Sequence, residues 1–203
     1  MSNPSSSALN LINLIKNKAP EYLNLLTAES DEDFDEALDS IVEQAVMKLE
    51  QNGKNLKSLD EVGLTAFLAS GVSIPGLTVT QETNSNGHVD LMIVADHCYP
   101  ARTKLAEAKI YDGPQNHIDG LEQLLDRYTT GRERRGFLIE YVRKKNIAQL
   151  VEGLRAAMDA KLPCQQTGET VEHKIKWSFL SNHVHSCGET LGVCHVSCNL
   201  YVE

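Results

Sequence analysis

Long apolar runs, a secretory leader and a regular cysteine pattern are all missing from this 203-residue sequence. No apolar run approaches the roughly eighteen residues that a transmembrane helix needs, which argues against a membrane partner. Residues 1–7 lack the basic start and apolar stretch of a signal peptide. The five cysteines are an odd number at irregular spacing, so they predict no disulfide framework and we expect a cytoplasmic protein.

Aromatic residues are also scarce, and they do not alternate with basic residues as they do in proteins that bind single strands. The net charge of −9 would by itself argue against a nucleic-acid partner. Its distribution changes that conclusion: residues 29–50 contain nine acids and one lysine, whereas residues 127–145 contain seven bases and two acids. A basic segment therefore remains after the acidic N-terminal segment is set aside.

The first 55 residues are predicted to form a helical extension. Apolar residues recur at helical spacing over 31–51, after Ser30 and an acidic first turn. We expect the acidic side chains of this helix to form a solvated face. The alternative is a surface for a homodimer or a regulatory protein partner.

Residues 56–203 are predicted to form a single mixed α/β domain. The pattern indicates a helix over 59–69, strands over 77–82, 88–94 and 104–110, a helix over 116–129 and a strand over 136–142. A further helix over 146–160 and a C-terminal hairpin complete the chain. The order of the central elements, residues 58–145, is α-β-β-β-α-β.

Three charged residues interrupt the apolar strands of this predicted core. Asp90 lies within one strand, and Glu107 and Lys109 lie two apart on the next, so that these two project from the same face. Burying such charges is costly unless they pair or bind a metal ion. A buried salt bridge is the simpler explanation, but two carboxylates with one amine leave a net negative site that favours a cation.

Asp90 followed by Glu107-Ala108-Lys109 resembles the signature of the PD-(D/E)xK nuclease superfamily, and the element order resembles its restriction-endonuclease-like core. Val89 stands where the motif has its proline, and many members of the superfamily also lack this proline. The resemblance implies a Mg²⁺- or Mn²⁺-dependent nuclease, most often acting on double-stranded DNA, and it suits a prokaryotic defence or restriction system. Asp90, Glu107 and the carbonyl of Ala108 would hold the cation, and Lys109 would orient or deprotonate the attacking water.

Two further residues are candidates by the same resemblance. Glu61, at the start of the first core helix, would complete the metal ligands, although with Ser58 it also fits a capping box. Gln123 resembles the glutamine of a Gln-x-x-x-Tyr helix motif of the RecB-like branch. Here Tyr128 follows Gln123 by five residues rather than four.

Basic side chains lie before and after the strand at 136–142, and we expect them to contact the phosphates of a duplex. They are Arg127, Arg132, Arg134, Arg135, Arg143, Lys144 and Lys145. Ordinary solvated charge is the alternative for each of them.

The C-terminal hairpin is rich in residues that can bind zinc, namely His183, His185, Cys187, Cys194, His195 and Cys198. Their spacing matches no zinc module, and buried thiols in a core explain Cys194 and Cys198 as well. Two rival functions follow: a zinc-stabilised interaction protein, or a catalytically silent nuclease-fold subunit that binds nucleic acid or a partner.

Overall fold

The computed structural model describes residues 4–84, 88–98 and 100–202. Most of the turn predicted at 84–87 therefore lies outside the described residues. The helices are α1 (Pro4–Lys18), α2 (Pro20–Thr27), α3 (Asp31–Gln51), α4 (Glu61–Val72), α5 (Pro114–Glu122) and α6 (Ile147–Lys161). A π-helical turn, Gln123–Tyr128, continues α5.

The strands of the described chain join in one sheet with the order β1-β2-β3-β4-β7-β6-β5. They are β1 (Thr78–Asn84), β2 (His88–Ala95), β3 (Arg102–Ile110), β4 (Arg135–Val142), β5 (Val171–Glu172), β6 (Ser178–Val184) and β7 (Thr190–Asn199). Strands β3, β4 and β7 are parallel, and the remaining neighbours are antiparallel. The prediction of a mixed α and β fold is confirmed, and α4-β1-β2-β3-α5-β4 follows the predicted order.

Two hydrophobic cores cover the two faces of the sheet. Helices α3 and α4 pack on one face, against alternate residues of β3, β4 and β7 such as Ala106, Ile139 and Val196. Helices α5 and α6 and the π-helical turn pack on the other face, against Leu105 and Leu138. This alternation follows from the two-residue period of a strand. Because α3 belongs to the first core, the predicted boundary at residue 55 does not separate two cores.

The acidic helix α3 begins where the sequence predicts, with Ser30 and Asp33 forming a reciprocal capping box. Its acidic face, however, is not wholly solvated. Asp39 is 3% exposed and binds Arg135, while Asp35 lies 2.6 Å from the amine of Lys104, which is itself 4% exposed. The expectation of a solvated face is wrong for these acids because basic side chains of β3 and β4 lie directly beneath them.

No described helix is long and apolar enough to cross a lipid bilayer.

Candidate active site

Strands β2 and β3 bring the three predicted charged residues together. The Ala108 N–H donates to Asp90 Oδ2 at 2.8 Å, which holds the Asp90 carboxylate against the neighbouring strand. Glu107 Oε1 lies 2.5 Å from Lys109 Nζ. The side chains of Glu107 and Lys109 are 2% and 18% exposed, so this ion pair is largely out of water. A net negative cluster thus lies near the carboxyl end of β3.

Glu61 joins this cluster from α4. One of its oxygens accepts the Ile110 N–H at 2.9 Å, and the other lies 3.8 Å from Lys109 Nζ. The cap of α4 is Asp60, which accepts the Gly63 N–H at 2.9 Å. The capping-box alternative for Glu61 is therefore wrong, since Asp60 caps the helix and leaves the Glu61 carboxylate free to reach β3.

The surroundings of the Glu107 carboxyl disfavour its charged form. Burial, together with the charge of Asp90, raises its pKa from 4.5 to about 7, although Lys109 opposes the shift. Glu107 Oε2 is buried and accepts no hydrogen bond from the described residues. A buried carboxylate oxygen without a partner, beside a second carboxylate, is an arrangement that a cation would stabilise.

Lys109 remains protonated in this environment. Burial disfavours its charge, but the hydrogen bond to Glu107 and the charges of Glu107, Glu61 and Asp90 outweigh burial and raise its pKa. The Lys109 side chain packs along α5 at Gly120, where an added Cβ would come within 3.2 Å of Lys109 Cγ. Because Gly120 has no side chain, the Lys109 side chain can extend between α5 and the sheet.

A small cavity of about 20 Å³ opens between α4 and the sheet, next to the cluster. Glu61, Thr65 and Asp90 contribute to its lining. A volume of this size is sufficient for one water-sized species. Oxygen donors from Glu61, Asp90 and Glu107 are the type that Mg²⁺ and Mn²⁺ prefer, so the residues present fit a hard divalent cation.

The π-helical turn accounts for the unusual spacing of Gln123 and Tyr128. A π-helix pairs residues i and i+5, so it absorbs one extra residue and keeps these two residues on one side. Gln123 is half-buried, and Tyr128 is 7% exposed. Burial and the charges of Glu107 and Asp90 raise the Tyr128 pKa, which indicates that its hydroxyl lies in the field of the site.

Comparisons with models of known protein families, with curated proteins and with solved structures find no match to this chain. The role of the Ala108 carbonyl stays a prediction, because the contact observed at Ala108 involves its N–H group.

The predicted phosphate-binding residues fall at opposite ends of β4. Arg143, Lys144 and Lys145 follow its last residue, at the end of the sheet where Glu107 and Lys109 lie. Arg143 donates to the Leu59 carbonyl, two residues before Glu61, and Lys144 binds Asp112 at 2.9 Å. Lys145 is exposed, so this end of β4 carries accessible positive charge beside the site.

The other predicted phosphate contacts are less favourable. The prediction that Arg135 contacts phosphate is wrong, because its side chain is 11% exposed and bound to Asp39. Arg134 is 66% exposed but pairs with Asp31 and Glu32 of α3. Arg132 is exposed at the same distant end of β4, whereas Arg127 is exposed on the π-helical turn.

A larger cleft of about 480 Å³ lies beyond the distant end of β4, between α3 and the start of β3. Its wall includes Arg102, whose guanidinium already binds Asp31 and the carbonyls of Ala28 and Glu29. This cleft contains neither Glu107 nor Lys109, so its size does not make it the better candidate for chemistry.

The six Cys and His residues of the C-terminal hairpin do not converge on one point. Cys194 and Cys198 are buried in the α3 face of the sheet, whereas His183 and His195 lie on the opposite face. His185 and Cys187 contact each other in the β6–β7 connection. A zinc site made from the hairpin alone therefore lacks a common centre.

A different group of potential ligands, Asp39, His173 and Cys194, does come together. Asp39, however, already binds the Arg135 guanidinium and His173 Nε2. Burial raises the pKa of the Cys194 thiol well above its usual value. A cation placed beside Arg135 would meet like charge and a neutral thiol, so we interpret the group as a structural network.

Sequence reasoning missed Glu140 and His117, which form a buried pair behind Lys109. The signal for Glu140 was present, because it interrupts the apolar strand β4 as Asp90 interrupts β2. His117 had no such signal, since one histidine on an amphipathic helix is unremarkable. Thr65, whose hydroxyl lies 3.1 Å from that of Tyr141 and joins α4 to β4, was also missed.

Proposed function

We propose that this chain is a divalent-cation-dependent nuclease of the restriction-endonuclease-like fold, which hydrolyses phosphodiester bonds. The observation that carries the proposal is the buried Glu107 carboxylate, held beside Asp90 and Lys109 on adjacent strands, whose Oε2 has no hydrogen-bond partner among the described residues. Within this cluster three carboxylates face one amine, a balance that a cation completes.

Asp90, Glu107 and Glu61 are the residues that would hold a Mg²⁺ or Mn²⁺ ion. A bound ion would act as a Lewis acid and lower the pKa of a water molecule at the site. Lys109 would hold that water in line with the phosphorus atom and stabilise negative charge on the phosphoryl oxygens. Gln123 and Tyr128, on the adjacent π-helical turn, would contact the water or the scissile phosphate.

Double-stranded DNA is the proposed substrate, and a prokaryotic defence or restriction system is the proposed setting. Support for the substrate comes from the resemblance of the motif and from positive charge beside the site. Arg143, Lys144 and Lys145 follow β4 at the end of the sheet that carries Glu107, where they would contact the DNA backbone, and Arg127 is exposed on the π-helical turn.

The direct test incubates the purified protein with supercoiled plasmid, with and without Mg²⁺ or Mn²⁺, beside a Lys109→Ala variant prepared identically. Cleavage that needs the metal ion and disappears in the variant supports the proposal. Equal cleavage by both proteins would assign the activity to a contaminant or another site. Absence of cleavage by either, with DNA binding retained, would favour the catalytically silent nuclease-fold subunit.

A Lys174→Ala variant is the matched control for loss of a lysine. Lys174 is half-exposed and lies on the other face of the sheet, near Glu36 and Asp39. We expect this variant to cleave as the unmodified protein does.

A further inference from the structure

A buried chain of hydrogen bonds crosses the α5 face of the sheet. It passes, in order, through Glu140, His117, His195, Ser181 and His183. The successive donor–acceptor distances are 2.7, 2.8, 2.6 and 2.6 Å. Each member is at most 2% exposed, so no bulk water competes for these groups. We refer to these five side chains as the histidine chain.

The far end of the histidine chain fixes the direction of its hydrogen bonds. His183 Nδ1 lies 3.0 Å from the Cys164 carbonyl, which can only accept, so His183 must donate from Nδ1. Burial lowers the pKa of His183, and the neutral ring then accepts at Nε2. The Ser181 hydroxyl therefore donates to His183 and accepts from His195 Nε2.

The same logic continues to the Glu140 end. Burial and the neighbouring imidazoles lower the pKa of His195, so its neutral ring accepts at Nδ1 from His117 Nε2. One proton then remains between His117 Nδ1 and Glu140 Oε1. When it resides on His117, Glu140 is a buried carboxylate with a fixed partner on one oxygen.

The two carboxylate oxygens of Glu140 differ in their surroundings. Glu140 Oε2 is buried and has no hydrogen-bond partner among the described residues. Glu140 is paired in register with Lys109 on the parallel strand β3, and both side chains project to the α5 face. Strands in a sheet lie about 4.8 Å apart, so a lysine side chain can span this gap.

Lys109 is bound to Glu107 in the structure, at 2.5 Å from Oε1. If Glu107 gives its oxygens to a divalent cation, this ion pair is weakened. The Lys109 ammonium ion, whose side chain is 18% exposed, would then need another acceptor, because an unpaired buried charge is costly.

We propose that Glu140, held by the histidine chain, is a positioning residue that becomes the partner of Lys109 when Glu107 binds the cation. This inference rests on the proposed function, because it assumes a cation at Glu107. Glu140 would hold the Lys109 ammonium group beside Gly120, away from the metal ion. Neither residue of this pair needs to bind the cation itself.

The test is a double-mutant cycle on Mn²⁺ affinity, measured by calorimetry with the full-length protein. Glu140→Gln keeps the shape of the side chain but removes its charge. We expect it to weaken Mn²⁺ binding about tenfold, and to change the affinity less than about twofold when Lys109 is already alanine. Glu140→Asp, which keeps the charge, should recover part of the affinity.

Two outcomes of this double-mutant cycle would overturn the inference, and they are distinguishable. The first is an equal loss of Mn²⁺ affinity on Glu140→Gln whether residue 109 is lysine or alanine. That result would show that Glu140 acts only as a structural residue. Absence of Mn²⁺ binding by every protein, the unmodified chain included, would contradict the proposed function as well. Should Glu140→Gln fail to fold, His117→Gln removes the imidazole that binds Glu140 and is expected to show the same dependence on Lys109.

His173→Gln is the matched control for loss of a buried polar contact. His173 binds Asp39 on the opposite face of the sheet, away from Lys109. We expect it to leave the Mn²⁺ affinity unchanged. A tenfold loss in this variant too would show that the assay reports general destabilisation, and would overturn the assignment to Glu140.

Discussion

Two groups of charged side chains, one beneath α3 and one at the carboxyl end of β3, differ in their balance of acids and bases. Beneath α3, acids and bases are matched: Asp31, Asp35 and Asp39 face Arg102, Lys104 and Arg135. At the carboxyl end of β3 the acids outnumber the bases, because Asp90, Glu107 and Glu61 face Lys109 alone among the residues of this cluster. The matched cluster is expected to stabilise the docking of α3, whereas the unmatched cluster is expected to lower stability until a cation binds.

Removing Glu107 should produce the largest change and should separate activity from stability. We expect Glu107→Gln to lower metal-dependent cleavage at least about 100-fold, since one proposed ligand is lost. The same variant should unfold at a higher urea concentration in metal-free buffer, because burial of the charged Glu107 carboxylate costs more than its ion pair with Lys109 contributes. A variant that is both inactive and less stable would contradict this account of Glu107.

Breaking the matched cluster should have the opposite effect on stability. Asp39→Asn leaves the buried Arg135 guanidinium without its main partner, so we expect a loss of about 3 kcal/mol in the free energy of unfolding. Urea denaturation followed by circular dichroism measures this change. A loss below about 1 kcal/mol would show that the pair beneath α3 is not a strong contact.

The two clusters should also respond to pH in opposite directions. The Glu107 pKa is raised from 4.5 to about 7, so its contribution to stability is complete below pH 4.5 and is lost as the pH rises through about 7. Burial raises the Asp39 pKa, but His173 and Arg135 outweigh it and lower the value below 3.8. The Asp39 contribution is therefore present above pH 3.8 and is lost in more acidic solution.

Urea denaturation at several pH values measures how the free energy of unfolding changes with pH. Between pH 5 and 8 we expect metal-free protein to lose about 2 kcal/mol through Glu107, and Glu107→Gln to remove most of that loss. An unchanged slope in the variant would assign the titration to other groups. Mn²⁺ affinity should rise over the same interval, since the ligand must be deprotonated.

A smaller effect is expected from one methyl group at Gly120. Gly120→Ala places a Cβ against Lys109 Cγ, so we expect cleavage to fall about tenfold. Gly153→Ala, in α6, meets no atom within 4 Å and serves as the matched control. It should retain full activity and gain about 0.5–1 kcal/mol in stability. Equal activity of the two variants would show that Gly120 does not direct Lys109.

The smallest effects are expected from single basic residues. Lys145→Ala should weaken binding to a DNA duplex a few-fold and reduce its salt dependence by about one phosphate contact. Arg134→Ala, at the other end of β4, should leave both quantities unchanged because Arg134 pairs with α3. Fluorescence anisotropy at several salt concentrations distinguishes them, and equal losses would place DNA across the whole of β4.

Much of the fold and the grouping of Asp90, Glu107 and Lys109 were predictable because they depend on local patterns. Apolar periodicity located α3 and the core strands to within a few residues. Glu107 and Lys109 share a face by the two-residue period of a regular strand. The polar interruption at Asp90 was equally visible in the sequence.

Other features depend on which segments meet, and local patterns do not specify that. The pairing of Asp39 with Arg135 joins residues far apart in sequence, so the acids of α3 were expected in solvent. Glu61 had two local interpretations, and only the position of Asp60 at the cap decided between them. The histidine chain joins α5, β4, β6 and β7, whose adjacency follows from the sheet order.

The central claim is that Asp90 and Glu107 form a cation site, and a calorimetric titration of metal-free protein with Mn²⁺ at pH 8 tests it most directly. We predict saturable binding by the unmodified chain, and its loss in both Asp90→Asn and Glu107→Gln. Binding that persists unchanged in both variants would place the ion elsewhere. Absence of binding by the unmodified chain would contradict the claim.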